Sequence, residues 1–289
     1  MNLVTLKIKP KSYFGTYPKG DTIFGQIVSE FYLSGDRSFD NYLGGSPKLV
    51  VSDMLPFGYF PKPILPLGCF GKNLDKKVLR KAKFITLKAL QNGELLEGCE
   101  DIKFFEELTT VKNSINRTTF STGEGDFAPF GVVEKNIFKE LWMFVLADES
   151  IRTKTLQTIQ KIGKYGFGKD TSVGRGVFEC EVIDFEIPKI DTNYYLTISP
   201  VIPNDENILK SFYEPITRFG KYGYHGADSR AFKKPTLLCE SGSVFQLSKD
   251  AKSLGSAHNN GLENKPSFIQ GYSIAIPIRI KDEQCLNAR

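Results

Sequence analysis

The residues with the densest chemical potential stand together at 163–176, in the run GKYGFGKDTSVGRG. Five glycines (Gly163, Gly166, Gly168, Gly174 and Gly176) let main chain approach an anion closely, and successive N–H groups can form an anion-binding concavity. Lys164, Lys169 and Arg175 bring positive charge against the single Asp170. Thr171 and Ser172 offer hydroxyls to phosphate or ribose, and Tyr165 or Phe167 offers a ring on which a base can stack. A flexible helix-to-strand connection with solvated charges is the plainer alternative, but this density of glycine and cation exceeds what a turn needs. The run is not a P-loop. Gly163, Gly168 and Lys169 have the G-x-x-x-x-G-K spacing, yet Asp170 stands where Ser/Thr would bind magnesium, and the loop follows a helix rather than a strand. Nor is it an RNP1 strand, because Lys169 and Asp170 replace the apolar and aromatic positions of that motif.

Three further segments carry related chemistry. FGTYPKGD (14–21), with Gly15, Thr16 and Lys19, lies between a strand and a helix N-terminus, where free N–H groups favour anions; an ordinary βα loop accounts for it too. NSINRTT (113–119) sets Arg117 beside Asn116 and Thr118, a combination suited to backbone and 2′-OH contacts, or to a simple surface loop. RFGKYGYHGADSR (218–230) alternates basic and aromatic residues with glycine, as single-strand binders do, through Arg218, Lys221, Tyr222, Tyr224 and His225. His225 invites a catalytic role, as general acid or base in metal-independent RNA cleavage; a polar contact is the commoner role for a lone histidine in such a loop. The sequence has two histidines, and Asp21, Asp53, Asp126 and Asp228 are isolated, so neither metal-dependent hydrolysis nor a cofactor is expected.

These loops need a frame. With 289 residues, the prior is about two domains at roughly 150 residues each. A hydrophobic content of 40%, with 23 Phe and 12 Tyr, sustains sizeable cores and excludes wholesale disorder. The net charge of +5 permits an anionic partner without demanding one. No apolar run approaches the roughly 18–20 residues of a membrane span, and the N-terminus lacks the apolar block of a signal peptide, so a cytoplasmic protein without membrane contact is expected. Five scattered cysteines, an odd number, argue against a disulfide scaffold and against a zinc site.

Residues 3–8 alternate as a half-buried strand. Asp21 is placed to cap a helix whose stripe is Ile23, Phe24, Ile27, Val28, Phe31 and Tyr32, with Gly25 inside it implying close packing. Residues 44–71 are extended and rich in Pro and Gly, and 81–90 read as a second strand. Residues 91–126 are polar and fit an inserted hairpin or arm. Residues 131–135 and 141–147 read as two strands joined by a short turn, followed by a helix over 151–161 and a strand over 177–187. The sum is β-α-(β-β)-α-β, the ferredoxin-like pattern. A boundary at 188–193 separates a second half with strands near 194–200, 237–247 and 272–280. The expected fold is α+β: two ferredoxin-like domains, 1–190 and a degenerate 191–289, with antiparallel sheets, glycine-rich loops and an inserted thumb hairpin.

On these residues the chain resembles the RAMP superfamily of CRISPR proteins, and within it the guide-capping subunit of type III-A (Csm) effector complexes. The resemblance runs nearly end to end: GTYPKGDTIFG (15–25), SDMLPFGYFPKP (52–63), INRTT (115–119), GFGKDTSVGRGVFE (166–179), ESGSVF (240–245) and QGYSIAIPI (270–278). It implies a subunit that is not itself a nuclease and holds the repeat-derived 5′ tag of crRNA against glycine-rich loops. It also implies contacts with the large polymerase/cyclase-like subunit and a backbone RAMP subunit. A thumb, placed at 91–126, would wedge into the guide–target duplex, so target RNA is met indirectly. A processing endoribonuclease using His225 is the rival within the same superfamily.

Overall fold

A computed structural model describes residues 1–44, 46–71, 75–204, 206–223 and 232–287. The first half is built from β1 (Asn2–Pro10), α1 (Gly20–Leu33), β2 (Leu49–Val51), the hairpin β3 (Phe105–Lys112) and β4 (Phe130–Ile137), then β5 (Leu141–Ala147), α2 (Glu149–Tyr165) and β6 (Phe178–Ile183). Its main sheet is antiparallel in the order β6-β1-β5-β2, with Ile8 paired to both Leu141 and Cys180. All seven residues of β5 (LWMFVLA) are buried, because it is a central strand and carries no polar face. Both helices lay an apolar stripe into the same core, α1 through Ile23, Phe24, Ile27 and Phe31, and α2 through Ile151, Ile159 and Ile162.

The second half contributes β7 (Tyr194–Thr197), β8 (Ile208–Phe212), β9 (Pro215–Arg218), β10 (Thr236–Cys239), β11 (Val244–Leu247) and β12 (Tyr272–Ile278). Its main sheet is also antiparallel, in the order β8-β11-β7-β12, with Ser253–Gly255 added beyond β12. Each sheet thus places its first strand between its last and its third, and its second strand beyond the third. The described residues of the second half contain no α-helix. One apolar cluster runs through both halves, from Leu6 and Phe144 to Leu196 and Ile276. The seam is also polar: the Gln270 amide brackets Val51, accepting from its N–H at 2.9 Å and donating to its carbonyl at 2.8 Å, as a neighbouring strand would.

Several sequence expectations are corrected. Lys19, not Asp21, precedes α1, and Asp21 lies in the first turn. A side chain added at Gly25 would meet open space, so no close packing explains that glycine. Residues 81–90 are a short strand (Phe84–Thr86) running straight into a helix (Leu87–Asn92), capped by the Thr86 hydroxyl. β4 pairs with β3 and not with β5, whose neighbours are β1, β2 and the short strand Leu55–Pro56. The inserted hairpin therefore spans 105–137 rather than 91–126. Residues 237–247 divide into β10 and β11 at a turn where Gly242 has φ +97°. Cys69 and Cys285 form a disulfide, a single bridge and not a scaffold, so the scattered cysteines do include one pair. No helix among the described residues is long and apolar enough to cross a membrane.

Candidate nucleic-acid interface

The glycine-rich loop leaves α2 at Gly166, φ +104°, and enters β6 after Gly176, φ +74°. At Gly176 a Cβ would lie 2.1 Å from the Phe167 carbonyl oxygen, and at Gly168 it would lie 2.7 Å from Thr16 Cβ. Two glycines are thus required by the folding of the loop on itself and on the 14–21 loop. The N–H groups are engaged internally as well. Gly168 donates to Gln26 Oε1 (3.1 Å), Lys169 to Thr16 Oγ1 (3.0 Å), Gly174 to the Thr171 carbonyl (3.0 Å) and Gly176 to the Tyr13 carbonyl (2.8 Å). These amides do not form the open anion concavity expected from the glycine count. The loop's outward-facing polar and charged groups are instead side chains on its crest.

That crest is exposed. Lys164, Tyr165, Lys169, Ser172 and Gly174 face solvent, and Thr171 is half-buried with its methyl beside Gly166. Phe167 is fully buried against Phe14, so it stacks on protein and not on a base; Tyr165, 72% exposed, is the available ring. Arg175 also departs from expectation. Its Nε donates to Glu134 Oε1 at 2.7 Å, and its guanidinium lies over Tyr13. Glu134, on the inward face of β4, also receives Thr110 Oγ1 (2.9 Å) and Lys112 Nζ (3.3 Å), and Lys112 bridges on to Asp170 at 2.8 Å. Burial works against the Glu134 carboxylate, yet the hydrogen bonds from Arg175, Thr110 and Lys112 outweigh it and hold its pKa below the ordinary value. The hairpin is thereby fastened along the glycine loop, and its tip carries Arg117 and Thr118, both exposed. The tip turn is closed by Phe120 N–H donating to the Asn116 carbonyl and Thr118 N–H to Asn116 Oδ1.

The 14–21 loop divides between two environments. Gly15 and Thr16 touch Lys169, where a Cβ on Gly15 would lie 2.6 Å from the Lys169 carbonyl oxygen. Lys19 turns inward to Asp53 Oδ2 (3.0 Å) and Glu240 Oε1 (2.6 Å). Burial opposes its charge, but Asp53 and Glu240 overcome this and raise its pKa. Asp53 accepts in addition from Gly20 N–H at 2.7 Å. Arg218 is similarly committed: its Nε lies 3.0 Å from Asp21 Oδ2. Burial raises the Asp21 pKa, with Arg218 pulling the other way. Lys19 and Arg218, expected to meet nucleic acid, instead tie the start of α1 to the second half. Lys221 lies over the Phe232 ring at 4.8 Å, while the Tyr222 ring lies under Lys233 and Lys265, its hydroxyl donating to the Lys265 carbonyl at 2.6 Å. His225 lies outside the described residues.

Sequence reasoning named Gly15, Thr16, Gly168 and Lys169 in two separate loops, which the fold brings together. It missed Gln26, Lys112 and Glu134, which fix the loop in place. Glu134 had a legible signal: it is a lone acid at an inward position between Val132 and Asn136 in an alternating strand.

Two antiparallel halves carry a cationic glycine loop after the second helix and an inserted hairpin fastened beside it. No family model matches the chain. It is 24% identical over 228 residues, 71% of this chain and 77% of the other, to CRISPR system Cms protein Csm4 of Thermococcus onnurineus. Its fold matches a chain in the crystal structure of a Csm1–Csm4 cassette in complex with cA4, with TM-score 0.62 at 15% identity over 97% of this chain and 100% of that one. A chain of a Csm3–Csm4 subcomplex of the type III-A CRISPR-Cas interference complex matches with TM-score 0.62 at 16% identity, covering 96% and 99%. The chain is thus similar in sequence to a Csm4 protein and shares the fold of chains from Csm1–Csm4 and Csm3–Csm4 complexes.

Proposed function

We propose that this protein is the non-catalytic guide-binding subunit of a type III-A CRISPR ribonucleoprotein, holding the repeat-derived 5′ tag of crRNA. The observation that carries this is the exposed crest of Lys164, Tyr165, Lys169, Ser172 and Gly174 on a loop immobilised from both sides, by Thr16 and Gln26 and by the hairpin. A rigid cationic crest with one exposed ring suits a splayed single strand, whose phosphates need fixed charge and whose bases need a stacking face. The hairpin, with Arg117 at its tip, extends from the same edge and serves as the thumb toward the guide–target duplex. The two halves, 1–190 and 191–289, act as paired ferredoxin-like units that carry these loops. Structures of similar chains with Csm1 and with Csm3 support contacts with the large subunit on one side and a backbone RAMP subunit on the other.

The test is co-purification of the assembled complex followed by crosslinking of its small RNA. Tag nucleotides crosslinked to the peptide holding Lys164–Gly174 are the expected result. A tag crosslinked only to other subunits overturns the reading.

A further inference from the structure

Beside the 14–21 loop, at Tyr17 and Lys19, lies an open cleft of about 790 Å³. Tyr17, Phe104 and Phe105 form an aromatic wall, with Tyr17 edge-on to Phe105 at 5.6 Å between centroids. The Lys19–Asp53–Glu240 cluster lies at the floor. Three exposed cations, Arg80, Lys83 and Lys103, stand at the rim. Arg80 and Lys83 belong to a run, DKKVLRKAK (75–83), with five cations against one acid. Asp101 and Glu214 also border the opening. In the wall, Ser241 Oγ is shielded from solvent and has no hydrogen-bond partner among the described residues.

This combination selects a ligand class. Flat aromatic edges and acceptor carboxylates suit a base with exocyclic amines, and clustered cations outside the opening suit a phosphate. Thr16, which touches Lys169 on the crest, is the chain neighbour of Tyr17, which faces the cleft, so the two surfaces meet at one peptide bond. We propose that the cleft is a second nucleotide site, taking one base of single-stranded RNA inward against Tyr17 and Phe105, with its phosphates on Arg80, Lys83 and Lys103. This rests on the RNA-binding reading above and extends it: the strand continues from the crest across the 14–21 loop and into the cleft.

The test uses the full chain and a short single-stranded RNA bearing 4-thiouridine at each position in turn. Irradiation is expected to attach one position to peptides containing Tyr17 or Phe105 and another to the 164–174 peptide. The variant Arg80→Ala/Lys83→Ala/Lys103→Ala removes only exposed side chains, so an unchanged melting temperature is expected. It should lose the cleft crosslink and lower the slope of log affinity against log salt by about two, from three contacts at about 0.7 each. An unchanged slope, with the crest crosslink retained and none in the cleft, overturns the second site and leaves its rim to an acidic protein surface. Absence of any crosslink, at crest and cleft alike, overturns the RNA-binding reading itself.

Discussion

Arg175 Nε lies 2.7 Å from Glu134 Oε1, joining the glycine-rich loop to a carboxylate that has no exposed side-chain surface. The most conspicuous arginine of the loop is therefore a fastener between loop and hairpin. Lys169, on the opposite side of the bend, is exposed and free to meet an external anion through its side chain while its N–H holds Thr16.

These two cations should separate in experiment. Arg175→Ala leaves Glu134 with Thr110 and Lys112 alone and is expected to cost about 1–2 kcal/mol of stability in denaturant titration. Lys169→Ala should leave stability within about 0.5 kcal/mol and lower the salt slope of RNA binding by about one. If Arg175→Ala instead changed the slope and not the stability, the assignment of the two residues would be reversed.

The loop glycines differ in the same way. Gly176→Ala drives a methyl to 2.1 Å from the Phe167 carbonyl oxygen, with φ at +74°, so loss of folded protein or more than about 3 kcal/mol is expected. Gly174 has φ +77° with open space around it, so Gly174→Ala should cost only the backbone strain of about 1–2 kcal/mol. Thermal melting of the two variants side by side checks this, and equal losses would refute the packing argument.

Lys19 makes a sharper case because Asp53 is buried and Glu240 is half-buried. Lys19→Met strands Asp53 and Glu240 and is expected to cost about 3–5 kcal/mol. Adding Asp53→Asn and Glu240→Gln should recover more than half of that loss. The pH dependence follows from the raised Lys19 pKa. The stabilisation is fully present below the unfolded lysine value of about 10.4 and is lost as pH rises through the higher folded value. Urea midpoints of wild type and Lys19→Met should thus stay separated through neutral pH. Coinciding midpoints at pH 7 would show that the cluster does not hold the halves together.

How far the sequence could disclose all this depends on the range of each interaction. β1, α1, α2 and β6 announce themselves through local periodicity, which needs only neighbours in the chain. The pairing of β4 does not, because 131–137 look equally able to join β5, and only the distant partner Phe105–Lys112 decides. The glycine loop was legible as a cationic bend. The destinations of its charges were not, since Arg175 meets Glu134 across 41 residues and Lys19 meets Glu240 across 221. A cation read from composition looks available until the fold supplies its carboxylate. The helices expected of a full second unit are missing from the described residues of the second half, and the shared strand order appears only when the sheets are assembled.

Asp36 offers a direct titration. A hydrogen bond from Lys154 Nζ (2.7 Å), with further ones from Ser38, brings its pKa down to about 2. A depressed carboxyl contributes stability above its unfolded value of about 3.9, and that contribution is lost as pH falls toward the folded value. Carboxyl chemical shifts should give Asp36 a midpoint near 2 in wild type and a clearly higher one in Lys154→Met. An unshifted midpoint in the variant would show that Lys154 is not what holds the C-terminal end of α1 to α2.

The last relationship joins two distant stretches of the chain. Cys69 and Cys285 are 216 residues apart in sequence, and their bond pins the turn Leu67–Phe70 to the C-terminal turn Glu283–Asn287. Phe70, Cys285 and Leu286 are buried there and Cys69 is half-buried, so the tail adds to the shared core once it is held. Constraining so long a loop restricts the unfolded chain, and about 2–5 kcal/mol is the usual range for the loss on removal. Cys285→Ser should therefore melt earlier than wild type under oxidising conditions and together with it after reduction by dithiothreitol. RNA binding should be unaffected in both, because neither turn touches the glycine crest. A wild-type melting temperature indifferent to dithiothreitol, with both thiols alkylated in the untreated protein, would show that the cross-link does not form.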